Sequence, residues 1–192
     1  MPRDSLSTPV FDAFTEGVKS GGLRSKSEIQ LLICAMMEAL DNPVSVRLIS
    51  DTCQKEELAN YFEVQNALSE LVEKGILQPE LADGEEFIEL TGEGEAAASV
   101  LQEDLPKSVL QTAIRSAKRQ QLLERNAKDN KVRIEAYRDG FHVSFSMVER
   151  ETELLSLTVF VTDRKEAEAL KEKFLENPVK IYSSILTGLM IN

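Results

Sequence analysis

Between Ser25 and Leu40 the apolar residues Ile29, Leu32, Ile33, Met36, Met37 and Leu40 recur at intervals of three and four. That interval places them on one face of a helix, so the segment predicts an amphipathic helix with a buried stripe. Ser25 and Glu28 stand at its start at the spacing where a hydroxyl and a carboxylate satisfy each other's backbone donors. Asp41-Asn42-Pro43 ends it, since proline cannot continue a helix. The same interval returns in a shorter helix from Val46 to Gln54, through Val46, Ile49 and Cys53. It returns again from Asn60 to Lys74, through Val64, Ala67, Leu68 and Leu71. Gly75 follows where left-handed backbone costs glycine little.

The period then shifts. Ile76-Leu77 and Phe87-Ile88-Glu89-Leu90 flank an Asp83-Gly84 turn, the pattern of a β-hairpin. Thr91 opens another helix through Ala96, Val100 and Leu101. Helix, helix, helix, hairpin, helix is the order of a winged helix-turn-helix domain, here spanning residues 25–105. Pro106 marks a boundary, and a long connecting helix occupies residues 106–130, with Val109, Leu110, Ala113, Ala117 and Leu122 on its apolar side.

Beyond it the period becomes two. Val132, Ile134 and Ala136 alternate with polar residues, as do Phe141, Val143, Phe145 and Met147, and then Leu155, Leu157, Val159 and Val161. Tight turns at Arg138-Asp139-Gly140 and at ERET join these runs, which predicts a three-stranded antiparallel meander with one buried face. Asp163 caps a helix with Glu166 in box position and Ala167, Leu170 and Phe174 inward. Asn177-Pro178 starts a last helix in cap-then-proline order, with Ile181, Ile185, Leu186 and Leu189 as its apolar face. Residues 131–192 thus form a small α+β domain, and the whole chain is of the α+β class. Residues 1–24 read as an N-terminal arm punctuated by Pro2, Pro9 and Gly21-Gly22. Its Val10, Phe11 and Phe14 either dock on the body or meet a partner.

The stretches FDAFTEGVKSGGLRSKSEIQLLIC and ANYFEVQNALSELVEKG resemble a family of bacterial proteins catalogued as a domain of unknown function. Its members are described as winged-helix proteins and predicted transcriptional regulators. The resemblance covers residues 11–78 well and continues mainly as element order after that. It implies DNA binding by the helix-turn-helix, and a C-terminal domain for ligand binding or self-association.

Charge complicates that implication. The chain holds 22 basic and 33 acidic residues, net −11. Residues 25–105 carry 4 basic side chains (Lys26, Arg47, Lys55, Lys74) and 18 acidic ones, net −14, whereas residues 106–140 carry 9 and 4, net +5. Affinity for a duplex comes largely from cations that displace counterions from phosphates. The hairpin PELADGEEFIEL offers five carboxylates and no cation. Screening reaches only ~8 Å at physiological salt, too short to cancel charges inside an interface.

Two readings follow. In the first, a dimeric regulator reads double-stranded DNA with Gln65 and Asn66 at base edges and Asn60, Tyr61 and Ser69 at bases or phosphates. The connecting helix then helps with Arg115, Lys118, Arg119 and Arg125. In the second, the acidic domain meets a basic protein partner. A homodimer is the default assembly, with the last helix, SSILTGLMI, as one seam or simply as a cover for the sheet.

Little else carries chemistry. Thr91-Gly92-Glu93-Gly94-Glu95 has close glycines but no lysine, and its glutamates would repel a phosphate, so the glycines are assigned to the turn. His142 is the single histidine and points outward on a strand. Cys34 and Cys53 sit on apolar stripes as buried free thiols. No catalytic residue, metal site or cofactor is assigned, and no enzyme is expected. No apolar run approaches the ~18 residues of a membrane span, and the N-terminus lacks signal-peptide order, which makes the expected location the cytoplasm.

Overall fold

A computed structural model of the chain describes residue 23 and residues 25–82, 84–101 and 105–190, the side chains of 97–101 excepted. The arm anchor Val10, Phe11 and Phe14, the glycine pair Gly21-Gly22, and Asp83 of the hairpin turn lie outside the described residues. The chain divides into two compact units between Lys118 and Arg119.

The first unit runs α1 (Lys26–Ala39), β1 (Val44–Ser45), α2 (Val46–Lys55), α3 (Tyr61–Glu73), β2 (Leu77–Ala82), β3 (Glu85–Leu90), α4 (Gly92–Leu101) and the opening part of α5 (Lys107–Asp129). Its helix starts are set by side chains that accept otherwise unpaired backbone N–H groups. The Glu28 amide donates to Ser25 Oγ at 3.2 Å, and the Ser25 amide donates to Glu28 Oε2 at 3.0 Å, which completes the expected box. Ser45 Oγ accepts from Leu48 N at 3.1 Å to start α2, and Asn60 Oδ1 accepts from Glu63 N at 3.0 Å to start α3. Gly75 lies past the α3 cap with φ +71°.

Thr91 ties the next joint together. Its hydroxyl donates to Gly75 O at 2.7 Å and accepts from Gly94 N at 3.1 Å, so α4 begins against the end of α3. Gly94 has no room for a side chain, because a Cβ there would collide with the Ile76 carbonyl. The glycines assigned to this turn therefore divide in role, since Gly92 faces open space.

The antiparallel sheet has the order β1–β3–β2, with Val44 opposite Ile88 and Leu77 opposite Leu90. β1 was not expected. It is two residues long, too short for any period, and exists because Val44 and Ser45 pair with Ile88 and Phe87 far along the chain. Pro79 fits in β2 because that strand is at an edge, where a missing N–H leaves no neighbour unpaired. The core gathers every residue of the predicted α1 stripe with Ile49 and Cys53 of α2, Val64, Ala67, Leu68 and Leu71 of α3, Leu77, Ile88, and Ala113 and Ala117 of α5. Each large side chain fully buried here contributes about 1.5–3 kcal/mol of transfer free energy.

The second unit takes the rest of α5, then β4 (Asn130–Tyr137), β5 (Gly140–Glu149), β6 (Thr152–Val161), α6 (Arg164–Glu176) and α7 (Pro178–Met190). The strands form the expected antiparallel meander, ordered β4–β5–β6, with Ile134, Val143 and Val159 in one cross-strand row. Val143, Phe145 and Met147 point into the core. Phe174 of α6 meets Phe145 at 5.0 Å between ring centroids, and Leu123 and Ala127 of α5 pack against the same cluster. Asp163 Oδ1 accepts from Lys165 N at 3.0 Å, one residue before the expected box position. Leu157, expected inward, stays 38% exposed on β6, one of the two edge strands of this sheet.

The larger departure is α7. It starts at Asn177-Pro178 as read from the sequence, but within it only Pro178 is buried. Among the described residues, no helix is long and apolar enough to cross a membrane.

Candidate functional site

The outward side of α3 starts with two rings. Tyr61 and Phe62 stand edge to face at 5.8 Å, and Phe62 is 76% exposed. Phe62 lies off the buried stripe of Val64, Ala67, Leu68 and Leu71, so its exposure was legible from helical spacing, although the sequence reading passed over it. Asn66 and Ser69 also face solvent. The other two polar candidates are engaged within the fold. Asn60 spends its Oδ1 on the helix cap. Gln65 is half-buried and its Nε2 donates to Ser50 Oγ at 2.8 Å, while Ser50 Oγ donates to Val46 O at 3.0 Å. This chain of bonds fastens α3 to α2.

Lys26, Lys74 and Arg47 of this unit each lie beside a carboxylate. Lys26 and Lys74 both reach Glu70, which also accepts from Gln30 Nε2 at 2.9 Å. The hydrogen bond from Lys26, with help from the two positive charges and Gln30, holds the Glu70 carboxyl below its ordinary pKa. Arg47 Nε lies 3.3 Å from Asp51 Oδ2, one helical turn along α2.

Beside these residues an open groove of about 490 Å³ runs between α2, α3 and the hairpin tip. Arg47, Ser50 and Asp51 form one wall, Tyr61 and Gln65 another, and Glu85 and Glu86 a third. Its charged lining is thus one arginine, paired with Asp51, and two further carboxylates, Glu85 and Glu86, which leave a net charge of −2. That arrangement attracts a cation and repels a phosphate.

The basic candidates on α5 fall on both sides of the division between units. Arg115 and Lys118 are exposed in the first unit, and Arg125 is exposed in the second. Arg119 is committed elsewhere in the second unit. Its Nη2 lies 2.8 Å from Glu172 Oε2 and its Nε also meets Glu176, and these two bonds raise its pKa. Asn126 Nδ2 donates to Leu175 O at 2.7 Å just beyond, so this part of α5 clamps the end of α6.

Groups that do chemistry in other proteins are quiet here. Burial pushes the Cys34 thiol to about 11 and the Cys53 thiol to about 12, so both keep their protons at neutral pH and are poor nucleophiles. His142 stacks on Tyr137 at 3.9 Å and meets the edge of Phe160 at 6.0 Å. Among the described residues, no group of three or more His, Cys, Asp or Glu side chains is placed to hold a metal ion.

A family model described as a domain of unknown function (DUF4364) matches residues 29–189, a span that begins within α1, ends within α7 and runs through both units. No curated protein and no solved structure matches the chain.

Proposed function

We propose that this chain, which belongs to the DUF4364 family, is a non-enzymatic winged helix-turn-helix module whose acidic groove receives a basic segment of a protein partner. The winged assignment rests on α1, α2 and α3 followed by the β2–β3 hairpin, with β1 completing a three-stranded sheet. One observation carries the choice of partner: the groove beside α3 is walled by Glu85 and Glu86 in addition to Asp51, and its one arginine is taken up by Asp51. A lysine or arginine side chain entering there gains charge-assisted hydrogen bonds. The exposed Tyr61–Phe62 pair adds a face for its methylenes or for cation–π contact.

A second reading keeps the module as a transcriptional regulator on double-stranded DNA. The exposure of Asn66 and Ser69 on α3, and of Arg115, Lys118 and Arg125 on α5, favours it. Fluorescence anisotropy separates the two. Labelled lysine- and arginine-rich peptides are expected to bind at micromolar concentration, and Glu85→Lys with Glu86→Lys should weaken them about tenfold or more. Random-sequence duplexes should not bind at low salt. Duplex binding that falls steeply with salt and is lost in Asn66→Ala would overturn the peptide reading in favour of the second. Absence of both interactions removes both readings.

A further inference from the structure

α7 carries a wider apolar arc than its own unit covers. Ile181 packs against the core of the second unit and Ile185 is half-buried. A neighbouring stripe of Val179, Tyr182, Leu186 and Leu189 follows the 3-4-3 spacing of a helix-pairing seam, with Tyr182 half-buried and the other three exposed. Val179, Leu189 and Met190 are among the most exposed large apolar side chains described, with Leu189 at 79% and Met190 at 77%, and Leu186 is exposed to a smaller extent. The sequence-level face mixed the two stripes, because Ile181 and Ile185 belong to the covered one and Leu186 and Leu189 to the open one.

Charge indicates what pairs with this stripe. The chain is net −11 with 33 carboxylates, yet residues 177–190 contain none, and their one charged side chain is Lys180 on the polar side of the helix. Two copies approaching by most other surfaces would repel each other. By this helix they bring together only apolar side chains flanked by serine and threonine. A partner helix of another kind is usually selected through flanking charges, and α7 offers none along the seam. An anionic membrane surface calls for several lysines or arginines on the polar face, where α7 has one.

We infer that the Val179–Tyr182–Leu186–Leu189 stripe is a homodimer seam on which α7 of a second copy packs. The pairing is isologous, so each copy contributes the same residues. The helix is 13 residues long, about 20 Å at 1.5 Å per residue. So short a seam gives a dimer that exchanges with monomer rather than an obligate one. This inference is independent of what the groove on the first unit binds.

Sedimentation equilibrium of the full chain from about 1 to about 200 µM tests it. Dimer should be present in that range, and it should strengthen as salt rises, because salt screens the repulsion between two −11 chains. Groove binding of a basic peptide responds to salt in the opposite direction. Leu186→Glu with Leu189→Glu should raise the dimer dissociation constant about tenfold or more with helicity by circular dichroism unchanged. Leu189→Ser, at a position too exposed to affect folding, should weaken the dimer in the same direction. Val148→Glu, an exposed apolar position on β5, should leave it intact. A wild-type chain that stays monomeric throughout overturns the inference, as does an undiminished dimer in the double-glutamate variant.

Discussion

Helices α3 and α7 have the same length, 13 residues, and each shows an apolar repeat at three and four, yet they are used differently. α3 buries Val64, Ala67, Leu68 and Leu71, and its remaining surface is polar except for Tyr61, Phe62 and the half-buried Val72. α7 buries Pro178 alone and leaves Val179, Leu186, Leu189 and Met190 outward. The repeat shows that a helix has a face that avoids water. Whether that face is covered depends on what the rest of the chain brings against it. α3 has α1, α2 and the end of β2 around it, whereas α7 leaves part of an arc too wide for its one neighbouring core. An uncovered stripe is therefore informative about partners, while a covered one is informative about stability.

The largest test of that contrast is a matched pair of truncations. Leu68→Ala should cost about 3 kcal/mol in urea denaturation, through lost transfer energy and the cavity left behind. Leu189→Ala, measured at a concentration where the chain is monomeric, should fall within about 0.5 kcal/mol of wild type. Equal costs would break the comparison.

A smaller effect tests the joint that presents α3 to its groove. Gly94→Ala places a methyl against the Ile76 carbonyl and should cost about 1–3 kcal/mol, as overpacking does. Gly92→Ala, with open space around it, should be neutral or slightly stabilising. Thermal melts of the two variants would show the separation directly.

The α1 and α2 side of the first core also predicts a pH dependence. Folding raises the Cys34 and Cys53 thiols from an ordinary value near 9 to about 11 and about 12. The unfolded chain therefore gives up these protons first as pH rises. The stability that depends on neutral thiols is full below about pH 9 and declines from there toward pH 11–12. Cys34→Ala with Cys53→Ala should flatten that alkaline slope in denaturation at pH 8, 9 and 10. At neutral pH, thiol reagents should label neither cysteine until the protein is unfolded. The smallest expected effect is in the second unit, where Arg119→Ala should cost about 1 kcal/mol by removing the cation that Glu172 and Glu176 share.

Local chemistry was the most legible part of this fold. Ser25 with Glu28, Asp163, Gly75 and the cap-then-proline pair at Asn177-Pro178 act over a few residues, so their effects can be read where they stand. β1 was invisible because its partner residues are some forty positions away. The candidate site was legible in part. Asn66, Ser69 and Tyr61 face solvent as their helical positions imply, but Gln65 turns to Ser50 and Arg119 to Glu172 and Glu176. Those bonds join residues on different helices, and nothing in the local pattern specifies them.

By itself, then, the sequence determined every element but β1, their order, which faces avoid water, and the separation of a strongly acidic segment from a basic one. All of these follow from period, capping and composition. Tertiary structure alone decided that Asp51, Glu85 and Glu86 share one groove and that one stripe of α7 is left open. Burial and charge pairing are properties of surfaces brought together across the chain, and no window along it contains both surfaces.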